Sequence, residues 1–216
     1  MKKERTLGWM PQGTGTAYPF DATFSKNVNV LQKGFDGVDA LVLWGGEDIS
    51  SSYYKEVPHI YNQNHSGIPT QRDINEYKAM VYAKARGIPI IGVCRGAQFL
   101  CVFAGGKLVQ HVNGHHKTHL VTTYMEEKFQ VTSCHHQMMY PFEVPHEMIA
   151  WSSDNLSTLY ENKSMMGKPE PEIVYFPGVS GLAIQGHPEW AEKTSRFAQY
   201  CNEVVLEYLF EEELVV

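Results

Sequence analysis

One short stretch limits the possible folds more than any other. The apolar run 88–93 leads straight into Cys94, with Gly92 two residues before it and Gly96 two after. Apolar residues at helical spacing follow, among them Ala97, Leu100 and Cys101. A buried strand that turns sharply into a helix, with a nucleophile at the turn, is written this way. The flanking glycines allow backbones to crowd where a Cβ would collide. The sulfur is then expected at the positive end of a helix, where the thiolate is favoured.

The rest of the chain supplies a setting for that turn. Strands are predicted over 6–10, 39–44 and 88–93, and helices over 73–86 and 95–104. In the first helix Ile74, Tyr77, Met80, Val81 and Ala85 repeat near the 3.6-residue period, and Gly87 follows as a stop signal. The second half reads as strands over 118–124, 129–132, 148–152, 173–176 and 181–185, closed by a helix over 192–210. Residues 51–70 are polar, with Pro58 and Pro69, and are predicted to be a long loop. Residues 18–37 show little periodicity and are expected to be abbreviated. The alternation predicts an α/β fold: a mostly parallel sheet covered on both faces. With 216 residues and 43% hydrophobic content, one domain over 1–216 is expected.

Charge and cysteine usage narrow the classes of partner. A formal net charge of −6 argues against non-specific nucleic-acid binding. No apolar run approaches the roughly 20 residues that span a bilayer, and no secretory leader is expected behind Met-Lys-Lys-Glu-Arg. Cys94, Cys101, Cys134 and Cys201 form no C-x-x-C pair, so a reducing, cytoplasmic setting is expected. Cys101 is expected in the core, and Cys134 lacks an elbow that would make it a second nucleophile.

A cysteine nucleophile needs a base, and the base needs a group to orient it. Gly186-His187-Pro188-Glu189 offers both. A strand delivers His187 to its end, and Glu189 emerges two residues later, where a carboxylate can accept from the imidazole. Oxyanion donors are expected from the Arg95 amide at the helix start and from Gly45-Gly46 at the end of the strand over 39–44.

Gly-Val-Cys94-Arg-Gly-Ala-Gln98, Gly-His187-Pro-Glu189 and Gly45-Gly-Glu-Asp-Ile-Ser50 together resemble class I glutamine amidotransferase domains. Within them the chain is most similar to the γ-glutamyl-γ-aminobutyrate hydrolase-like (peptidase C26) branch. Cys-Arg-Gly, Gly-Gly-Glu-Asp and Ser133-Cys-His-His-Gln137 carry that resemblance. It implies a flavodoxin-like three-layer sandwich and no cofactor. It also implies Cys94 as nucleophile, His187 as base and later acid, and Glu189 as orienting carboxylate. Gly46 and Arg95 would be the oxyanion donors. Gln98, Ser133, His135, His136 and Gln137 would line the pocket for a glutamyl group. The implied substrate is a small γ-glutamyl amide, attacked at its γ carbonyl to give a thioester. A separate synthase or ligase subunit receiving ammonia is the alternative partner. A homodimer, a non-catalytic regulatory relative and an intracellular cysteine peptidase on a related fold are the remaining readings.

The histidines raise a further question. His111, His115, His116 and His119 lie within nine residues, and His135-His136 follow. Such a cluster can bind zinc. No cysteine or carboxylate stands within the tract at a structural-site spacing, and Asn113-Gly114 marks a turn. The expectation is therefore no metal, with some of these side chains on the active-site rim and others exposed.

Overall fold

The structure is a computed structural model and describes residues 4–10 and 18–212. In chain order it contains β1 (Thr6–Trp9), β2 (Lys26–Asn29), the one-turn α1 (Val30–Lys33), β3 (Ala40–Leu43), α2 (Gln71–Ala85), β4 (Ile90–Val93) and α3 (Arg95–Phe103). Then follow β5 (Lys107–Val109), β6 (His111–Val112), β7 (His119–Thr123), β8 (Lys128–Val131), β9 (Met138–Tyr140) and β10 (Glu147–Ser152). The chain closes with β11 (Tyr160–Glu161), β12 (Pro171–Phe176), β13 (Gly181–Ile184) and α4 (Arg196–Phe210).

Nine strands form one sheet in the order β2-β1-β3-β4-β13-β12-β10-β7-β8. The five from β2 to β13 run parallel. From β13 to β8 the pairings are antiparallel. Parallel neighbours need a long crossover, and α2 provides the one from β3 to β4. Two short ladders, β5 with β9 and β6 with β11, stand apart from this sheet.

Side-chain alternation along the central strands builds the three layers. Val42, Ile91, Val93, Leu182 and Ile184 pack with Phe197, Cys201, Val204 and Val205 of α4. Their neighbours Leu41, Leu43, Ile90 and Ala183 pack on the other face with Met80 and Ala83 of α2 and with Phe99 and Leu100 of α3. Central strands buried on both faces read as continuous apolar runs, which is why β3 and β4 are evident from sequence.

The departures from expectation have local causes. Helix α2 begins at Gln71 rather than 73 because Thr70 caps it. The Thr70 hydroxyl accepts from the Asp73 amide at 3.1 Å, and the Asp73 carboxylate accepts from the Thr70 amide at 2.8 Å. Helix α4 begins at Arg196 rather than 192, with Ser195 accepting from the Ala198 amide at 3.2 Å. Segment 18–37 is abbreviated as expected but holds β2 and α1, whose polar residues carry no apolar alternation. Short β5, β6, β9 and β11 escaped notice for want of length. Within 51–70 the loop contains one 3-10 turn, Ser51–Tyr54. Among the described residues, no helix is long and apolar enough to cross a membrane.

Candidate active site

Cys94 sits between β4 and α3 with φ 51° and ψ −108°. That conformation is unfavourable for a residue with a Cβ and costs on the order of 1–3 kcal/mol unless its surroundings impose it. Here they do. The Cys94 amide donates to Ile184 O of β13 at 2.8 Å, and the Gln98 amide donates to Cys94 O at 3.1 Å. A Cβ on Gly92 would stand 2.5 Å from Gly96 O, and one on Gly96 would stand 2.2 Å from Leu43 O. Only glycines permit this approach of α3 to β3 and β4.

The sulfur is buried, and burial pushes the Cys94 thiol up to about 12, with Glu189 adding to the rise and the Arg95 amide opposing it. The expectation that the helix terminus favours a resting thiolate is thus corrected: desolvation outweighs the dipole.

His187 follows β13. Its amide donates to Thr132 O at 2.7 Å, and the Thr132 hydroxyl donates to the His187 carbonyl. Its Nδ1 lies 2.7 Å from Glu189 Oε1. The Trp190 indole stacks on the imidazole at 3.6 Å between centroids and 5° between planes. A Cβ placed on Gly45 would fall 2.8 Å from His187 Cε1 and 3.5 Å from Cys94 Cβ. Cys94 and His187 therefore flank the same small space, and it exists because residue 45 has no side chain.

Arg72, which sequence reasoning missed, sets the backbone of that loop. Its Nη2 donates to Trp44 O at 2.9 Å and to Gly45 O at 3.0 Å. Planar trans peptides then turn the Gly45 and Gly46 amides away from Arg72. Gly46 has φ 147°, and a Cβ there would strike Arg72 Nη1 at 2.2 Å. The Arg95 side chain is also buried behind the elbow, 2.5 Å from Asp73 Oδ1 and paired with Glu76. Arg72 Nε donates to the other Glu76 oxygen at 2.8 Å. The i,i+4 spacing of Arg72 and Glu76 was the available signal, but it reads equally as a solvent-exposed pair.

The segment 133–137 divides. His136 Nε2 is 3.0 Å from Asp48 Oδ2, next to the Gly45-Gly46 loop. Gln98 Nε2 donates to Gln137 O at 2.9 Å, and the buried Gln137 side chain keeps its Oε1 without a partner. Ser133 and His135 point elsewhere. The Ser133 hydroxyl donates to His115 O at 2.9 Å, and His135 Nδ1 bonds Gln137 O at 2.8 Å. Both belong to a buried group with His115, His119, Glu170 and Glu172. The carboxylates missing from the histidine tract are supplied across the sheet, by β12 and the residue before it.

The sequence matches the family described as peptidase C26 over residues 14–123, half of the chain. The chain belongs to the peptidase C26 family. It is therefore a class I glutamine amidotransferase-like protein. The glutamine amidotransferase-like protein YvdE of Lactococcus lactis is 29% identical over 188 residues, 77% of this chain and 72% of that one. The carbamoyl phosphate synthase small chain of Helicobacter pylori is 27% identical over 195 residues, 86% of this chain but 48% of its own length. Among solved structures, a glutamine amidotransferase from Thermotoga maritima superposes with a TM-score of 0.57 at 13% identity, covering 94% of this chain and 84% of that one. That likeness establishes the shared fold.

Proposed function

We propose that this protein hydrolyses γ-glutamyl amides through a thioester on Cys94. The observation that carries the reading is the strained Cys94 turn facing His187 across Gly45, with Glu189 Oε1 2.7 Å from His187 Nδ1. With Nδ1 engaged by Glu189, Nε2 is the nitrogen left to accept a proton. Because the buried thiol is neutral at rest, the proton moves to His187 as the sulfur attacks the γ carbonyl. A C–S bond forms, and charge develops on the carbonyl oxygen. The amides of Gly46 and Arg95 supply the oxyanion donors. Collapse breaks the C–N bond, and His187 returns its proton to the leaving amine. Water, deprotonated by His187, then cleaves the thioester to release glutamate and the thiol.

In this reading Gln98, His136 and Gln137 bind the glutamyl end; His136 supports it by standing beside Asp48 of the Gly45-Gly46 loop. Ser133 and His135 support them from behind. A second reading, delivery of ammonia to a separate synthase subunit, is favoured by the likeness to a carbamoyl phosphate synthase small chain over 86% of this chain.

The test incubates the purified chain with glutamine and with a panel of γ-glutamyl amines. Turnover of a γ-glutamyl amine by the chain alone supports the hydrolase, whereas ammonia release only with an added synthase supports the second reading. Cys94→Ser should lower turnover by at least about 10³-fold, with an unchanged circular dichroism spectrum. Full activity in that variant would overturn both.

A further inference from the structure

His115, His119 and Glu172 are all buried, and one ligand atom from each lies within 4.8 Å of the other two. His119 Nε2 is 2.9 Å and His115 Nδ1 is 3.3 Å from the same Glu172 oxygen, Oε1. Ligand atoms held at about 2.0–2.1 Å around one tetrahedral zinc lie about 3.3 Å from one another.

The surrounding hydrogen bonds leave these atoms facing inward. His119 Nδ1 is engaged by Lys117 O at 3.1 Å, which turns Nε2 towards Glu172. Glu170 Oε2 stands 3.2 Å from His115 Nε2, the outer-shell position of a carboxylate behind a metal-bound histidine. Glu170 is otherwise saturated, accepting from the Leu156 amide at 2.8 Å, the Ser157 amide at 3.0 Å and the Tyr160 hydroxyl at 2.9 Å. By contrast, both nitrogens of His115, Glu172 Oε2 and His135 Nε2 are buried without a hydrogen-bond partner. The His115 contacts with the two glutamates have ion-pair distances but not hydrogen-bond directions. The His135 ring packs 4.6 Å from the His115 ring and so closes one side of the cluster. Buried polar atoms are rarely left unpaired, and here one atom each of His115, His119 and Glu172 meets the other two within 4.8 Å.

We infer that His115, His119 and Glu172 form a structural binding site for a divalent transition-metal ion, zinc foremost. Two imidazoles and a carboxylate suit such an ion and not calcium or magnesium, which take oxygen ligands. A dication also balances the two buried carboxylates while the histidines stay neutral. A water completes the tetrahedron. Such an ion would tie the 115–119 segment and β12 to the wall of the candidate active site, since His115 O accepts from the Ser133 hydroxyl and the His135 amide. This site is separate from the Cys94 chemistry and does not depend on it.

The experiment uses the full chain expressed in zinc-supplemented medium and dialysed against a metal-scavenging resin. Elemental analysis should give close to one zinc per chain in the wild type and in Cys94→Ser, and at least a tenfold loss in Glu172→Gln. If Glu172→Gln does not fold, wild type stripped with a chelator serves instead. Adding zinc should then raise its melting temperature. Cobalt in place of zinc should give tetrahedral d–d absorption without a thiolate charge-transfer band. Sub-stoichiometric metal with no thermal shift, full retention in Glu172→Gln, or a thiolate band placing the ion on a cysteine would each overturn the inference.

Discussion

Two buried charge clusters flank the candidate site, and they are built on opposite terms. Behind the elbow, Arg72 and Arg95 meet Asp73 and Glu76. Guanidinium groups carry fixed charge, so two cations and two anions cancel with nothing further needed. Beneath the antiparallel half, the ion-pair partners of Glu170 and Glu172 among the described residues are histidines, whose charge is optional. The first cluster is complete in its own covalent chemistry. The second must take up protons or a cation to be neutral. A fixed cluster suits the task of holding a strained turn. An adjustable one suits the task of binding.

The largest effect is expected where the fixed cluster is broken. Arg95→Met leaves Asp73 and Glu76, both almost fully buried, without their shared partner. Removing one member of a buried ion pair costs about 3–5 kcal/mol, a large part of a domain's stability. Urea denaturation should show a loss of that size. A loss below about 1 kcal/mol would mean that water reaches the carboxylates, and the contrast between the clusters would collapse.

Glu189→Gln should separate chemistry from stability. His187 Nδ1 lies 2.7 Å from Glu189 Oε1, and in the proposed reaction that carboxylate orients and supports the imidazole. We expect turnover to fall by roughly 10²-fold or more with the melting temperature nearly unchanged. Equal losses in activity and stability would show that this pair, like Arg95, chiefly holds the fold.

The two clusters also differ in how far the sequence discloses them. The Cys94 turn, the His187-Pro188-Glu189 segment and strands β3 and β4 are legible because each is local. A buried parallel strand is an apolar run, and the tight turn needs its glycines within two residues of the cysteine. Arg72, Asp73 and Glu76 stand on a helix whose existence was evident, yet the faces they share with Arg95 depend on how α2 packs. The second cluster was the least legible. Its carboxylates enter from β12, more than fifty residues after His115, and only the antiparallel pairing of β12 with β10 and β13 brings them under the histidine tract. Spacing rules for metal ligands look within a segment and so returned no site. Burial had a similar effect on Cys94: the helix terminus is visible in sequence, but the desolvation that opposes it is not.

That desolvation gives the smallest of the expected effects, and it tests the fixed side of the comparison. Burial pushes the thiols of Cys94 and Cys101 up to about 12 from an ordinary value near 9, and raises that of Cys201 well above it. Between 9 and 12 the unfolded chain has lost these protons while the folded chain keeps them. The buried thiols therefore stabilise the fold fully below pH 9, and that contribution is lost as pH rises from 9 towards 12. Each adds a slope of about 1.4 kcal/mol per pH unit within the window. Cys101→Ala, which removes a sulfur bonded to Lys107 O at 3.5 Å, should remove one of these increments. Stability measured by urea denaturation at pH 8, 9 and 10 should fall less steeply in the variant than in the wild type. Parallel curves would show that the thiols ionise without regard to burial, and that the elbow is wetter than its packing implies.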